Sequence, residues 1–179
     1  MKIGVITGTT RPGNVGSFVG KWVAETLADR TDVTIVPVAV ADFDLDLLNE
    51  PTHPGAANGN YENPKTQKWA AEIAQLDGFL FITPEYNAAP PAAFKNAFDL
   101  LFAEWTEKPV GFVGYSYHGA ENAIKHWRDI VAIVKMKAVD SQVMLNLGTE
   151  TVVDGKFQAA EGQAENLNKL LDEVISQLS

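Results

Sequence analysis

A chain of 179 residues, 46% apolar and 21% charged, has the length and balance of one globular domain with a sizeable core. The absence of cysteine excludes disulfides, thiolate catalysis and Cys-based zinc or iron–sulfur sites. Fourteen Lys and Arg against 23 Asp and Glu leave a net charge of −9, which opposes nucleic acid and anionic membranes and obliges any bound phosphate to rely on a local device.

The N-terminus, MKIGVITGTT, carries one Lys and no small-residue cleavage site, so no secretory leader and a cytoplasmic setting are expected. It enters a first strand at Lys2–Thr7, followed by a polar loop and a helix over Val15–Asp29. A second strand is predicted at Val33–Val38, then a Pro-, Gly- and Asn-rich stretch, Asn49–Pro64, which reads as a lid, a dimer contact or a solvated loop, its length favouring a role. Helix Lys65–Gln75 leads to strand Gly78–Thr83, and helix Pro91–Ala103 to strand Val110–Tyr115. Helix Glu121–Val134, strand Ala138–Leu145 and helix Glu161–Gln177 complete the chain. No run reaches the roughly 20 apolar residues of a membrane span, and no membrane partner is expected. The alternation of strand and helix predicts βα units on a parallel sheet, and the continuously apolar runs IGVIT, FLFIT and VGFVGY predict strands covered on both faces. In such doubly wound sheets the ligand sits beyond the carboxyl ends of the strands, which directs attention to the loops after the first, third and fourth.

The first of these, Gly8–Ser17, offers hydroxyls and amides from Thr9, Thr10, Asn14 and Ser17, the cation of Arg11, and the free N–H groups of a helix start near Val15 and Gly16. The free helix-start N–H groups are expected to include that of Ser17 as well. That combination suits a phosphate, though helix caps use the same residue types. It is neither GxGxxG nor a P-loop. The second, Thr83–Pro91, is stiffened by Pro84, Pro90 and Pro91 and would present backbone groups to a flat heterocycle, with Ala88 and Ala89 leaving room for stacking; alternatively the prolines only shape a turn. The third, Tyr115–Ala120, brings aromatic rings, Ser116 and Gly119 to the same edge, with His118 as readily a surface residue as a functional one. His53, His118 and His126 lack metal-ligand spacing, and no metal site is expected.

Together these loops resemble the NAD(P)H-dependent FMN reductase family of flavodoxin-like proteins. The resemblance rests on Gly8-Thr9-Thr10-Arg11, on Thr83-Pro84-Glu85-Tyr86-Asn87, and on Pro91-Ala92-Ala93-Phe94-Lys95-Asn96-Ala97-Phe98-Asp99, each after its expected strand, and spans about the first 150 residues. It implies one flavodoxin-like FMN-binding domain over residues 1–179, a three-layer α/β sandwich with a five-stranded parallel sheet in the order 2-1-3-4-5. It also implies that Thr9, Arg11, Asn14, Val15 and Gly16 hold the FMN phosphate. Pro84, Glu85, Tyr86 and Asn87 would line the ring and ribityl chain, largely through backbone, while Ser116 and Gly119 would approach the pyrimidine end. Thr9 stands where the family has Ser, Ala92 where it has Gly, and Ala88–Ala89 where a more polar pair is usual.

The resemblance implies NADPH or NADH as reductant, a small electron acceptor (quinone, azo compound, free flavin or oxygen) and a homodimer. No side chain is expected to act as catalytic acid or base, because hydride transfer needs orientation and electrostatics more than proton transfer. The alternative is a flavodoxin-type electron carrier that does not oxidise NAD(P)H directly.

Overall fold

Strands with no polar face need apolar cover on both sides. The computed structural model, which describes residues 1–178, supplies it. In chain order the elements are β1 (Lys2–Thr7), α1 (Gly16–Thr26), β2 (Thr34–Ala39), α2 (Pro54–Ala57), α3 (Pro64–Ala74), β3 (Gly78–Pro84) and α4 (Ala92–Asp99). β4 (Pro109–Ser116), α5 (Glu121–Ile133), β5 (Lys137–Asn146), β6 (Thr151–Val153), β7 (Lys156–Gln158) and α6 (Gln163–Ser176) follow. The five long strands pair in parallel in the order β2-β1-β3-β4-β5, as expected. Strand order reverses between β1 and β3, so the loops after β1, β3 and β4 meet at one carboxyl edge.

One core lies under α3, α4 and α5, built on Trp69, Ile73, Phe94, Phe98 and Trp127; the other lies under α1 and α6, built on Val19, Val23, Leu167, Leu170 and Leu171. Phe81 of β3 centres the first, with the rings of Phe94, Trp127 and Trp105 at 4.9, 5.4 and 5.8 Å in tilted or edge-on contact. Each buried indole donates its N–H: Trp69 to the Ala97 carbonyl, Trp105 to that of Phe98, and Trp127 to the Thr83 hydroxyl. Thus the aromatic layer buries large apolar area without orphaning a donor.

Three expectations change. The fourth helix stops at Asp99 rather than Ala103, because the chain turns to bury Trp105, whose ring stacks on Phe98 at 5.2 Å while its N–H takes an end-of-helix carbonyl. The first helix ends at Thr26, not Asp29. A hairpin, β6–β7, closes through Asp154 and Gly155 at φ 49° and 73°, the left-handed pair of a two-residue turn. The Glu150 carboxylate fastens its base by accepting the Asn146 and Ala160 N–H groups, and Phe157 packs edge-on against Trp22.

The Asn49–Pro64 stretch is a packed segment carrying α2. Its Tyr61 is buried and donates to the buried Glu104 carboxylate at 2.8 Å, and Glu50 accepts the N–H groups of Glu62 and Asn63. No described helix is long and apolar enough to cross a membrane.

Candidate functional site

The first loop is organised by Asn14. Its amide donates to the Arg11 carbonyl at 2.6 Å and its side-chain oxygen accepts the Ser17 N–H at 2.8 Å, so the side chain is committed to shaping the loop. The Ser17 N–H, expected to be free, is therefore capped. The N–H groups of Val15 and Gly16 keep no partner among the described residues, leaving two helix-start donors for an anion. Arg30 and Arg128 are tied to carboxylates and carbonyls, whereas the exposed Arg11 makes no ion pair among the described residues.

Gly16 is buried where the loop passes over the end of β4. A Cβ there would lie 2.1 Å from the Tyr115 hydroxyl and 2.6 Å from Thr9 Cγ2. Thr9 is itself 2% exposed, and its hydroxyl is 3.2 Å from that of Tyr86, so loops one and two touch. Burial, with Tyr86 in support, pushes the Tyr115 phenol well above its ordinary range against smaller opposing effects of Thr9 and Arg11. A phenol held neutral puts no negative charge beneath an anion site.

In the second loop, Tyr86 and Ala89 exchange backbone hydrogen bonds of 2.9 and 3.1 Å across Asn87 and Ala88, which stand at φ 52° and 62°. Asn87 and Ala88, at the tip of this tight turn, are both exposed. Asn tolerates the left-handed region, but an alanine there is strained by about 1 kcal/mol relative to glycine. Ala88→Gly is therefore expected to raise stability by about 0.5–1 kcal/mol in thermal unfolding; an unchanged or lower midpoint would show the turn to be relaxed. Pro84 is buried at the end of β3. The Glu85 side chain turns away to the start of α5, where it accepts the Ala123 N–H at 3.0 Å.

In the third loop the Ser116 hydroxyl accepts the N–H groups of His118 and Ala120, at 2.9 and 3.0 Å, so it holds the loop's own shape. Gly119 and Ala120 follow at φ 81° and 62°. Tyr117 is 70% exposed and Tyr86 41%, which leaves two aromatic rings at this edge for a planar ligand.

The fold thus brings Thr9, Arg11, Val15, Gly16, Tyr86 and Asn87 to one edge, while Asn14, Glu85 and Ser116 turn their side chains inward to hold the loops. Two clefts flank the first loop. One of about 480 Å³ lies between Thr10 and the start of α4, and one of about 560 Å³ runs along α1 from Asn14 and Ser17. Sequence reasoning missed Tyr115 as the floor of the first loop; only its place at the end of a strand hinted at this. It also left Asn96 without a role. The Asn96 side chain pairs with the Asp46 carbonyl and the Leu48 N–H, both at 2.9 Å, and so pins the segment after β2 to α4.

Residues 1–150 match the family model described as NADPH-dependent FMN reductase. An NAD(P)H-dependent FMN reductase of Nectria sp is 34% identical over 190 residues, covering 97% of this chain and 94% of the relative. One from Schizosaccharomyces pombe is 31% identical, covering 94% and 84%. The structure of the Paracoccus denitrificans flavoenzyme FerB, an NAD(P)H:(acceptor) oxidoreductase, superposes with a TM-score of 0.76 over 98% of both chains at 18% identity, a likeness of fold. The match of the family model over residues 1–150, with relatives of 34% and 31% identity over most of their length, makes this chain a member of the NADPH-dependent FMN reductase family.

Proposed function

We propose that Thr9, Arg11 and the Asn14–Gly16 turn hold the phosphate of FMN, that the backbone of Pro84–Asn87 lines its ring and ribityl chain, and that the Ser116–Gly119 loop meets the pyrimidine end, all within one domain over residues 1–179. The observation that carries this reading is the first loop itself: two helix-start amides and an arginine side chain that have no hydrogen-bond or ion-pair partner among the described residues, on a chain of net charge −9. The close passage of Gly16 over Tyr115 supports it, since a side chain there would spoil the shape of the loop.

Family membership makes the chain an NAD(P)H-dependent oxidoreductase with FMN as its cofactor. When bound, FMN supplies the carrier that takes hydride from a nicotinamide and passes reducing equivalents on. The chain's own part is to hold the phosphate, keep the ring edge between two stiff loops and leave one face open to small molecules. We assign no side chain as catalytic acid or base. Small residues at Ala88 and Ala89 favour flat, weakly polar acceptors, so a quinone, azo compound, free flavin or oxygen is the expected oxidant. The alternative, a flavodoxin-type carrier, shares the fold but not the family.

Anaerobic mixing of protein, FMN and NADPH or NADH tests this. Flavin absorbance should bleach and return with air or a quinone; bound flavin that yields only to dithionite would favour the carrier.

A homodimer is part of the proposal. An apolar recess of about 290 Å³ between α4 and α5 is bordered by Leu48, Phe98, Phe102, Ile130 and Ile133, the last 76% exposed. Gel filtration should give twice the 19.4 kDa chain mass; a monomer that binds FMN tightly would remove the dimer from the reading. We place the protein in the cytoplasm, consistent with a chain that carries no cysteine.

A further inference from the structure

The carboxylate of Glu85 belongs to the second loop in sequence but to the third in space. Its Oε2 accepts the Ala123 N–H at 3.0 Å and its Oε1 accepts from the Asn122 side-chain amide at 3.4 Å, across 38 and 37 positions of sequence. Helix α5 needs this partner. Its N-cap residue, Ala120, is buried, stands at φ 62° and has no side-chain oxygen to offer the first turn. The preceding Gly119 is also left-handed, and the loop's only other side-chain support among the described residues is the Ser116 hydroxyl. An uncapped helix start frays, and a fraying start would carry the 116–120 loop with it. A negative charge at that end is doubly suited, as it also meets the positive pole of the helix dipole.

We propose that Glu85 is a positioning residue: it clamps the second loop to the third by capping α5 from outside, fixing the gap between the two segments that line the flavin ring, and its carboxylate does not meet the ligand. The proposal rests on the flavin reading for its effect on ligand binding, but the clamp itself is a property of the flavin-free protein. Because the clamp sets the ring-facing loops and not the phosphate loop, its loss should weaken FMN and riboflavin alike.

The test uses Glu85→Ala and Glu85→Gln. Amide hydrogen exchange on the flavin-free protein reads the clamp, and fluorescence titration with FMN and with riboflavin reads its consequence. Glu85→Ala should lower protection of the Ala123 amide about tenfold and weaken both flavins by a common factor of about ten, the range for losing a hydrogen bond to a charged acceptor. Glu85→Gln keeps one acceptor oxygen and the same shape, so it should restore most of both, and it keeps the test readable if the alanine variant fails to fold. Unchanged Ala123 protection in Glu85→Ala would overturn the clamp. So would a Glu85→Gln variant that keeps protection yet binds flavin as poorly as Glu85→Ala, since that would set the charge itself against the ligand. If the wild type binds neither flavin, the proposed function fails, and Ala123 exchange alone decides the clamp.

Discussion

Gly16→Ala is expected to cost FMN affinity on the order of 100-fold and to destabilise the fold by about 1–3 kcal/mol, the range for forcing a methyl into a filled space. The added Cβ would sit 2.1 Å from the Tyr115 hydroxyl and 2.6 Å from Thr9 Cγ2. Neither neighbour can retreat freely, because Tyr115 and Thr9 are 4% and 2% exposed, held between the end of β4 and the loop itself. The start of α1 must lift instead, and the Val15 and Gly16 amides lift with it. Two hydrogen bonds to a charged acceptor, each worth about 1.5–3 kcal/mol, are then weakened together. Adding Tyr115→Phe removes the nearest clashing atom but leaves Thr9 Cγ2 at 2.6 Å, so the double variant should recover only part of both losses. Thermal unfolding and FMN titration check this. Near wild-type affinity for Gly16→Ala would show that the first loop does not hold the phosphate.

Arg11→Ala should weaken FMN about 10- to 100-fold and leave riboflavin almost unaffected, as expected for losing a guanidinium–phosphate contact. The reason for a large effect is the setting: with a net charge of −9, the remaining chain repels the phosphate, and the other two arginines, Arg30 and Arg128, are already bound to carboxylates and carbonyls. Arg11→Lys should recover the charge but not the planar fork, leaving an intermediate affinity that falls faster with salt. Equal losses for FMN and riboflavin would place Arg11 away from the phosphate. The contrast with Glu85→Ala, which should weaken both flavins equally, separates the phosphate end of the site from its ring end.

The predicted elements that held were those with continuous apolar runs or long helical stripes. β1 matches its expected range, β3 and β4 extend theirs by one or two residues, and the Leu167–Leu171 stripe of α6 is buried. The parallel pairing follows from the βα alternation and the covered strands, while the order 2-1-3-4-5 came with the family resemblance. Element ends were less legible, because they depend on distant partners. α4 stops where Trp105 folds back on Phe98, and nothing within Pro91–Ala103 announces that. The β6–β7 hairpin is a different case: an Asp-Gly pair between β-branched and aromatic residues is a local signal, and it was present in Val152–Phe157.

What this chain's sequence by itself determined is the fold class, the three loops and the residue types they offer, since hydrophobic period, turn residues and short motifs are local properties of a chain. The tertiary structure alone decided how each candidate is used. Asn14, Ser116 and Glu85 are polar residues in site loops, and sequence cannot say whether their side chains face a ligand or the protein. Here each is spent on backbone N–H groups, two within its own loop and one across 38 residues. Likewise the demand for glycine at position 16 comes from Tyr115, 99 positions away in sequence, because β4 ends directly beneath the loop that follows β1. Hydrogen-bond commitment and close approach are pairwise properties in space, and only the folded chain sets them.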